Sequence, residues 1–126
     1  MIIRPVTPSD AQALADIYAP YVLQTAITFE TIPPDAAEFR ARIAHISQNY
    51  PFLVAEENGH ILGYAYASTF IARQAANPSA ETSIYIDRKS RGQGLGRALY
   101  DALEDACRNQ GLVNLLAAIA APTGPS

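Results

Sequence analysis

Apolar positions change their spacing several times along this chain, and each change marks an expected element. Ile2 to Val6 reads as a short strand. Thr7-Pro8-Ser9-Asp10 then supplies cap chemistry for a helix carrying Leu14, Ile17, Tyr18 and Tyr21 at helical spacing. Pro20 has no N–H to donate and is expected to disturb the end of that helix. After a looser stretch that holds Thr28-Phe29-Glu30, the cluster Pro33-Pro34-Asp35 opens a second helix with Phe39, Ile43 and Ile46 on one face, ended by Pro51.

Phe52 to Glu56 and Ile61 to Ser68 are strand-like runs separated by Asn58-Gly59, a dipeptide suited to a tight antiparallel hairpin. Ile71 to Pro78 reads as a loop. Ser79 to Ile86 alternates, which puts Glu81, Ser83 and Tyr85 on one face of a strand and Thr82, Ile84 and Ile86 on the other. From Leu95 the period becomes helical. Leu95, Leu99, Ala102, Leu103 and Ala106 form the stripe, Arg97–Asp101 and Glu104–Arg108 are spaced as ion pairs, and Gly111 stands where a left-handed helix end belongs. Leu112 to Ala121, with Asn114 its only polar member, is the continuous apolar run of a strand buried on both faces. Strand, helix and strand in that order imply a right-handed parallel crossover. The result is a mixed α/β (α+β) sheet in one domain, residues 1–126, whose last five residues from Pro122 read as a tail.

Composition narrows the function classes. With 49% apolar and 17% charged residues the chain is expected to fold rather than stay disordered. A net charge of -3 with acids and bases intermixed leaves no basic stripe for a nucleic-acid backbone, so no nucleic-acid partner is expected. The start, Met1-Ile2-Ile3-Arg4-Pro5, resembles neither a secretion signal nor a membrane span, which makes a cytoplasmic location and no membrane association the expectation. Cys107 is the single cysteine, and His45 and His60 lie far apart in sequence, so neither a disulfide nor a metal site is expected. Both histidines are expected on the surface, and Cys107 in the core.

The strongest chemical signal is Arg91-Gly92-Gln93-Gly94-Leu95-Gly96, between the alternating strand and the amphipathic helix. Glycines let backbone approach a ligand closely, and the unpaired N–H groups of a helix start bind phosphate oxygens. Arg91 and Arg97 add positive charge beside them. A P-loop requires Lys and then Ser or Thr after its last glycine, whereas Arg97-Ala98 follows Gly96. A dinucleotide fingerprint wants a glycine where Arg97 stands and an acid about twenty residues on, where Leu115 and Leu116 occur.

Arg-x-x-Gly-x-Gly after a strand resembles the pyrophosphate-binding motif of the GCN5-related N-acetyltransferases, and the order of elements is similar to that superfamily over essentially the whole chain. Ile17-Tyr18, Val22, Thr25, Thr28-Phe29-Glu30, Glu81-x-Ser83-Ile84-Tyr85-Ile86 and Gly94-Leu95-Gly96 look like its phosphinothricin N-acetyltransferase branch. The resemblance implies acetyl-CoA as co-substrate, bound by Arg91, Gly92, Gln93, Gly94, Leu95, Gly96 and Arg97 at the pyrophosphate. The backbone of Ile84, Tyr85 and Ile86 would meet the pantetheine arm, which enters like an extra strand where this strand splays from the next. It further implies Glu81 as general base, an N–H near Ile86 as oxyanion donor, and substrate contacts from Phe29, Glu30 and Arg73. The acceptor would be the primary amine of a small amino-acid-like molecule of the phosphinothricin or methionine sulfoximine or sulfone type. An amine at neutral pH must lose a proton before it attacks a thioester, so the chemistry independently asks for a base.

Two departures qualify that pattern. Ala75-Ala76-Asn77-Pro78-Ser79-Ala80 precedes Glu81 where the branch carries aromatic and Arg residues and then Thr-Val, which predicts an altered substrate pocket. After Pro122 the family continues with an Asn that contacts coenzyme A, a helix and further strand, whereas Thr123 stands here and the chain stops at Ser126. A C-terminally truncated version of the fold is expected, with an exposed apolar edge that favours poor solubility or self-association, a homodimer being one form of it. Two rival readings stand beside amine acetylation. One is a catalytically silent acyl-CoA-binding partial domain; the other is acetylation of protein N-termini or lysines by the same fold.

Overall fold

The computed structural model describes residues 1–24, 32–69, 79–90, 94–111 and 114–120. The described elements are β1 (Ile2–Pro5), α1 (Ala11–Gln24), α2 (Ala36–Ser47), β2 (Phe52–Glu57), β3 (His60–Thr69), β4 (Ser79–Ile86), α3 (Leu95–Asn109) and β5 (Asn114–Ala120), with short 3-10 turns at Pro8–Asp10 and Arg88–Ser90. The strands form one sheet in sequence order, antiparallel from β1 to β4 and parallel between β4 and β5. The expected mixed sheet and parallel crossover are therefore present. The expected loop at Ile71–Pro78, the positions Leu112 and Ala121 and the tail from Pro122 lie outside the described residues.

Alternation along the strands sorts side chains into two cores. Leu14, Ile17, Tyr18 and Tyr21 of α1 and Phe39 and Ile43 of α2 pack on Phe52, Val54 and Tyr64 on one face of the sheet. Leu95, Leu99, Leu103 and Cys107 of α3 pack on Ala55, Ala65, Ala67, Ile84 and Ile86 on the other. The small residues of β3 let α3 lie close. A Cβ added at Gly63 would stand 2.9 Å from Ile86 Cδ1, 3.0 Å from the Tyr85 carbonyl oxygen and 3.3 Å from Leu99 Cδ1.

Local chemistry explains most element ends. Asn58 and Gly59 both take positive φ, 52° and 81°, as a tight hairpin turn demands, and Glu57 pairs with His60 directly across it. The Asp35 side chain accepts the Glu38 N–H to cap α2. Gly111, at φ 85°, donates its N–H to the Arg108 carbonyl and ends α3. Pro20 departs from expectation. It sits inside α1, which runs on to Gln24. Pro20 forfeits one backbone hydrogen bond, and burial of Tyr18 and Tyr21 on either side holds the turn in place.

A charged junction ties the first strand to the rest. Arg4 donates from Nη1 and Nη2 to the two carboxylate oxygens of Asp10 at 2.9 and 3.0 Å, and from Nε to Glu56 at 3.0 Å. Asp10 also accepts the Thr7 N–H at 2.8 Å. β5 lies at one edge of the sheet, with no strand on its outer side among the described residues. That edge is the feature on which the expected self-association rests.

The Arg4 side-chain hydrogen bonds hold the Asp10 carboxyl below its ordinary value of 3.8, against the opposing effect of burial. A carboxyl whose folded pKa is depressed contributes stability above its unfolded pKa and loses it as pH falls through the folded value. Arg4→Met is therefore expected to lower unfolding free energy by about 2 kcal/mol at neutral pH, discounted for partial exposure. In urea titrations the loss should shrink progressively as pH drops below about 4. An equal loss at neutral and acid pH would show that the junction acts through packing instead.

Candidate active site

β4 carries most of the expected site, and hydrogen-bond parity decides what each of its residues can do. The Asp87 N–H donates to the Leu62 carbonyl at 2.9 Å, one step beyond the Gly63–Ile86 pair. Antiparallel strands alternate bonded and non-bonded pairs. Residues 81, 83 and 85 therefore turn their backbone groups to β3, opposite Ser68, Tyr66 and Tyr64. Thr82, Ile84 and Ile86 turn theirs the other way, toward β5.

The three strand residues expected at a ligand arm are thereby separated. Ile84 and Ile86 face the β5 edge with their backbone, while the backbone of Tyr85 is committed to Tyr64. The side chain of Tyr85 packs edge-on against Tyr18 and Tyr21 at centroid distances of 5.1 Å. The expected splay of β4 from the following strand is absent along the paired length, which runs without interruption from Ser79–Asn114 to Tyr85–Ala120. Ile86 is the first residue of β4 past that pairing.

Ile86 is also where sequence reasoning missed a functional group. The Tyr21 hydroxyl donates to the Ile86 carbonyl at 2.9 Å and accepts the Ile86 N–H at 3.2 Å, so the N–H expected to stabilise an oxyanion is already engaged. Both residues are fully buried, at 0% exposure. One signal was available in the sequence. A tyrosine on the most buried stripe of a helix needs a partner for its hydroxyl, where phenylalanine or leucine would not.

Glu81 stands half-buried on the α1/α2 face, opposite Ser68 on β3 and Leu116 on β5. It shares that face with Ser83 and Tyr85 at two-residue steps, as alternation requires, and is separated from Tyr85 by about 13 Å along the strand. Tyr64 lies opposite Tyr85 at the other end of that face, and its phenol is pushed well above its ordinary value by complete burial and then by Tyr66 and Tyr85.

Of the expected phosphate loop, the structure describes Gly94 to Arg97. Gly94 takes φ 74° immediately before α3, a conformation that glycine adopts without strain, and its carbonyl accepts the Ala98 N–H at 3.1 Å. The N–H groups of Leu95, Gly96 and Arg97 fall in the first turn, where helix geometry gives them no intrahelical partner. Leu95 and Gly96 are buried against the sheet, which fixes the direction of those N–H groups. Arg97 points outward, with its side chain 82% exposed, and pairs with Asp101 at 3.3 Å, so part of its charge is already answered. Arg91, Gly92, Gln93, Phe29, Glu30 and Arg73 lie outside the described residues.

An open cleft of about 670 Å³ lies between α1, the β2–β3 hairpin and the end of β4, lined by Asp16, Ile17, Glu57, His60, Asp87 and Lys89 among others. It includes neither Glu81 nor Gly94 to Arg97, so volume and chemistry point to different places. Chemistry decides here, because the cleft's carboxylates have partners. Asp16 accepts from Gln12 and Asp87 from the Lys89 N–H. No group of side chains among the described residues could hold a metal ion, and no described helix is long and apolar enough to cross a membrane.

The chain matches the acetyltransferase (GNAT) domain over residues 3–126. It is 34% identical over 124 residues to phosphinothricin N-acetyltransferase of Streptomyces viridochromogenes, a match covering 98% of this chain and 68% of that protein. To phosphinothricin N-acetyltransferase of Alcaligenes faecalis it is 42% identical over 106 residues, covering 83% of this chain and 54% of that protein. Its fold is similar to the crystal structure of a GNAT superfamily phosphinothricin acetyltransferase from Sinorhizobium meliloti in complex with AcCoA. The TM-score is 0.85 at 37% identity, over 92% of this chain and 64% of the other. The chain thus spans 54 to 68% of the length of these proteins.

At Gly94 backbone conformation and space can be told apart, because an added Cβ would meet nothing within 4 Å. Asn, which tolerates the left-handed region, is expected to cost less than about 1 kcal/mol there, and Val about 2 kcal/mol, in urea unfolding. Equal costs for the two substitutions would contradict a conformational role for this glycine.

Proposed function

Because this chain belongs to the acetyltransferase (GNAT) domain family, we propose that it binds acetyl-CoA and moves the acetyl group onto the primary amine of a small amino-acid-like substrate. The observation that carries the reading is the single β4–α3–β5 unit, which places Glu81 on the strand and the left-handed Gly94 with the first turn of α3 at the strand's far end. The N–H groups of Leu95, Gly96 and Arg97 bind the pyrophosphate, together with the loop from Arg91 to Gln93. The arm meets β4 at Ile86, the first residue of the strand past its described pairing with β5. Phe29, Glu30 and Arg73 contact the amine substrate.

Glu81 removes a proton from the substrate ammonium, and the freed amine attacks the thioester carbonyl. A C–N bond forms, negative charge gathers on the carbonyl oxygen, and the C–S bond then breaks to release coenzyme A as thiolate. The nitrogen's remaining excess proton passes to the departing thiolate, and Glu81 gives its proton to solvent and regains the carboxylate. Phosphinothricin and methionine sulfoximine or sulfone are the first acceptors to try, because the relatives named above act on the former.

A second reading is binding of acetyl-CoA without turnover. It is favoured by the engagement of the Ile86 N–H with Tyr21, which leaves the oxyanion without its expected donor.

One paired experiment separates these readings. Acetyl-CoA is expected to raise the melting temperature by mass action, and Glu81→Gln is expected to keep that shift while lowering amine-dependent thiol release by roughly a hundredfold or more. A shift without thiol release from any amine in the wild type would favour silent binding. No shift at all would remove both readings.

A further inference from the structure

The Ile86 carbonyl lies past the last described pair of β4 and β5. By parity it faces β5, yet β5 as described ends at Ala120. A parallel ladder continued in the same register would call on residue 122 for the donor, and residue 122 is proline, which has no N–H. The carbonyl is buried, so water is not a ready substitute. Tyr21 answers it from α1 with a single hydroxyl that both donates to the carbonyl and accepts from the N–H of the same residue.

One acceptor and one donor offered to one strand residue is what the amide of a neighbouring strand would offer. An arm of serial amides laid along β4, as the functional reading above requires, seeks the same two atoms at the first edge position beyond β5. We propose that the Tyr21 hydroxyl is a placeholder for the acyl carrier's arm: it satisfies the Ile86 backbone while the site is empty and is displaced from it by an amide of the arm. The aromatic ring need not leave its packing against Tyr85, since only the hydroxyl occupies the contested position. Tyr21 thus opposes binding of ligands with a pantetheine arm and is indifferent to ligands that lack one.

The test compares wild type with Tyr21→Phe, which keeps the ring and removes the hydroxyl. Calorimetric titration with acetyl-CoA is expected to show binding tighter by roughly fivefold to tenfold, the scale of one hydrogen bond. Adenosine 3′,5′-bisphosphate, which has no arm, should bind both proteins equally. A hydroxyl that merely supported the fold would give the opposite sign, with weaker binding of acetyl-CoA in the variant, and weaker or unchanged binding overturns the proposal. If the variant does not fold, the Ile86 amide resonance of the wild type serves instead. It should move on addition of acetyl-CoA and stay put with adenosine 3′,5′-bisphosphate, and a stationary resonance with acetyl-CoA bound overturns the proposal. Failure of the wild type to bind acetyl-CoA would sink the functional reading and this inference together, whereas binding with the wrong sign in the variant sinks this inference alone.

Discussion

β4 has to serve four neighbours at once, and the strand's two-residue repeat is the only means it has. Alternate side chains enter different layers, Ile84 and Ile86 toward α3 and Tyr85 toward α1. Alternate backbone groups enter different strand pairs, 81, 83 and 85 to β3 and the even positions to β5. A slip of one residue would reverse both assignments together. It would bury Glu81 beneath α3 and turn the isoleucines toward α1 and α2, so the hydrophobic requirement of the core also fixes which backbone groups face β3 and which face β5.

The same constraint sets the position of α3. Gly63 leaves room for Ile86 and Leu99 to meet over β3. That close approach brings the first turn of α3 down onto the sheet, where Leu95 and Gly96 are buried. A larger residue at 63 would lift the helix and carry its N–H groups away from the strand. Core packing and the placement of the helix start are therefore one geometric problem in this fold, and the glycine that solves it lies thirty-one residues before Gly94.

Much of this was legible in the chain. The alternation of 79–86, the Asn58-Gly59 turn and the Leu95–Leu99–Leu103 stripe reappear with their expected faces, because each is a local pattern read against one period. Helix α1 was misjudged at Pro20, where tertiary burial of Tyr18 and Tyr21 outweighs a local hydrogen-bond loss that sequence alone registers. Tyr21 was read as an apolar stripe residue because its partner lies 65 positions away on a different element. The expected three-residue backbone contact at 84–86 could not be resolved without knowing the register, since parity depends on which residue of β3 lies opposite. Phe29, Glu30, Arg73 and Arg91 to Gln93 fall outside the described residues and stay as read from the sequence.

The most direct measurement is a crystal structure of this chain grown with acetyl-CoA. The pyrophosphate is expected on the N–H groups of Leu95, Gly96 and Arg97 and the arm against the backbone of Ile86, with the acetyl group on the Glu81 side of the sheet. Acetyl-CoA seated instead in the cleft between Asp16 and Asp87, or an arm paired with the backbone of Tyr85, would contradict this account.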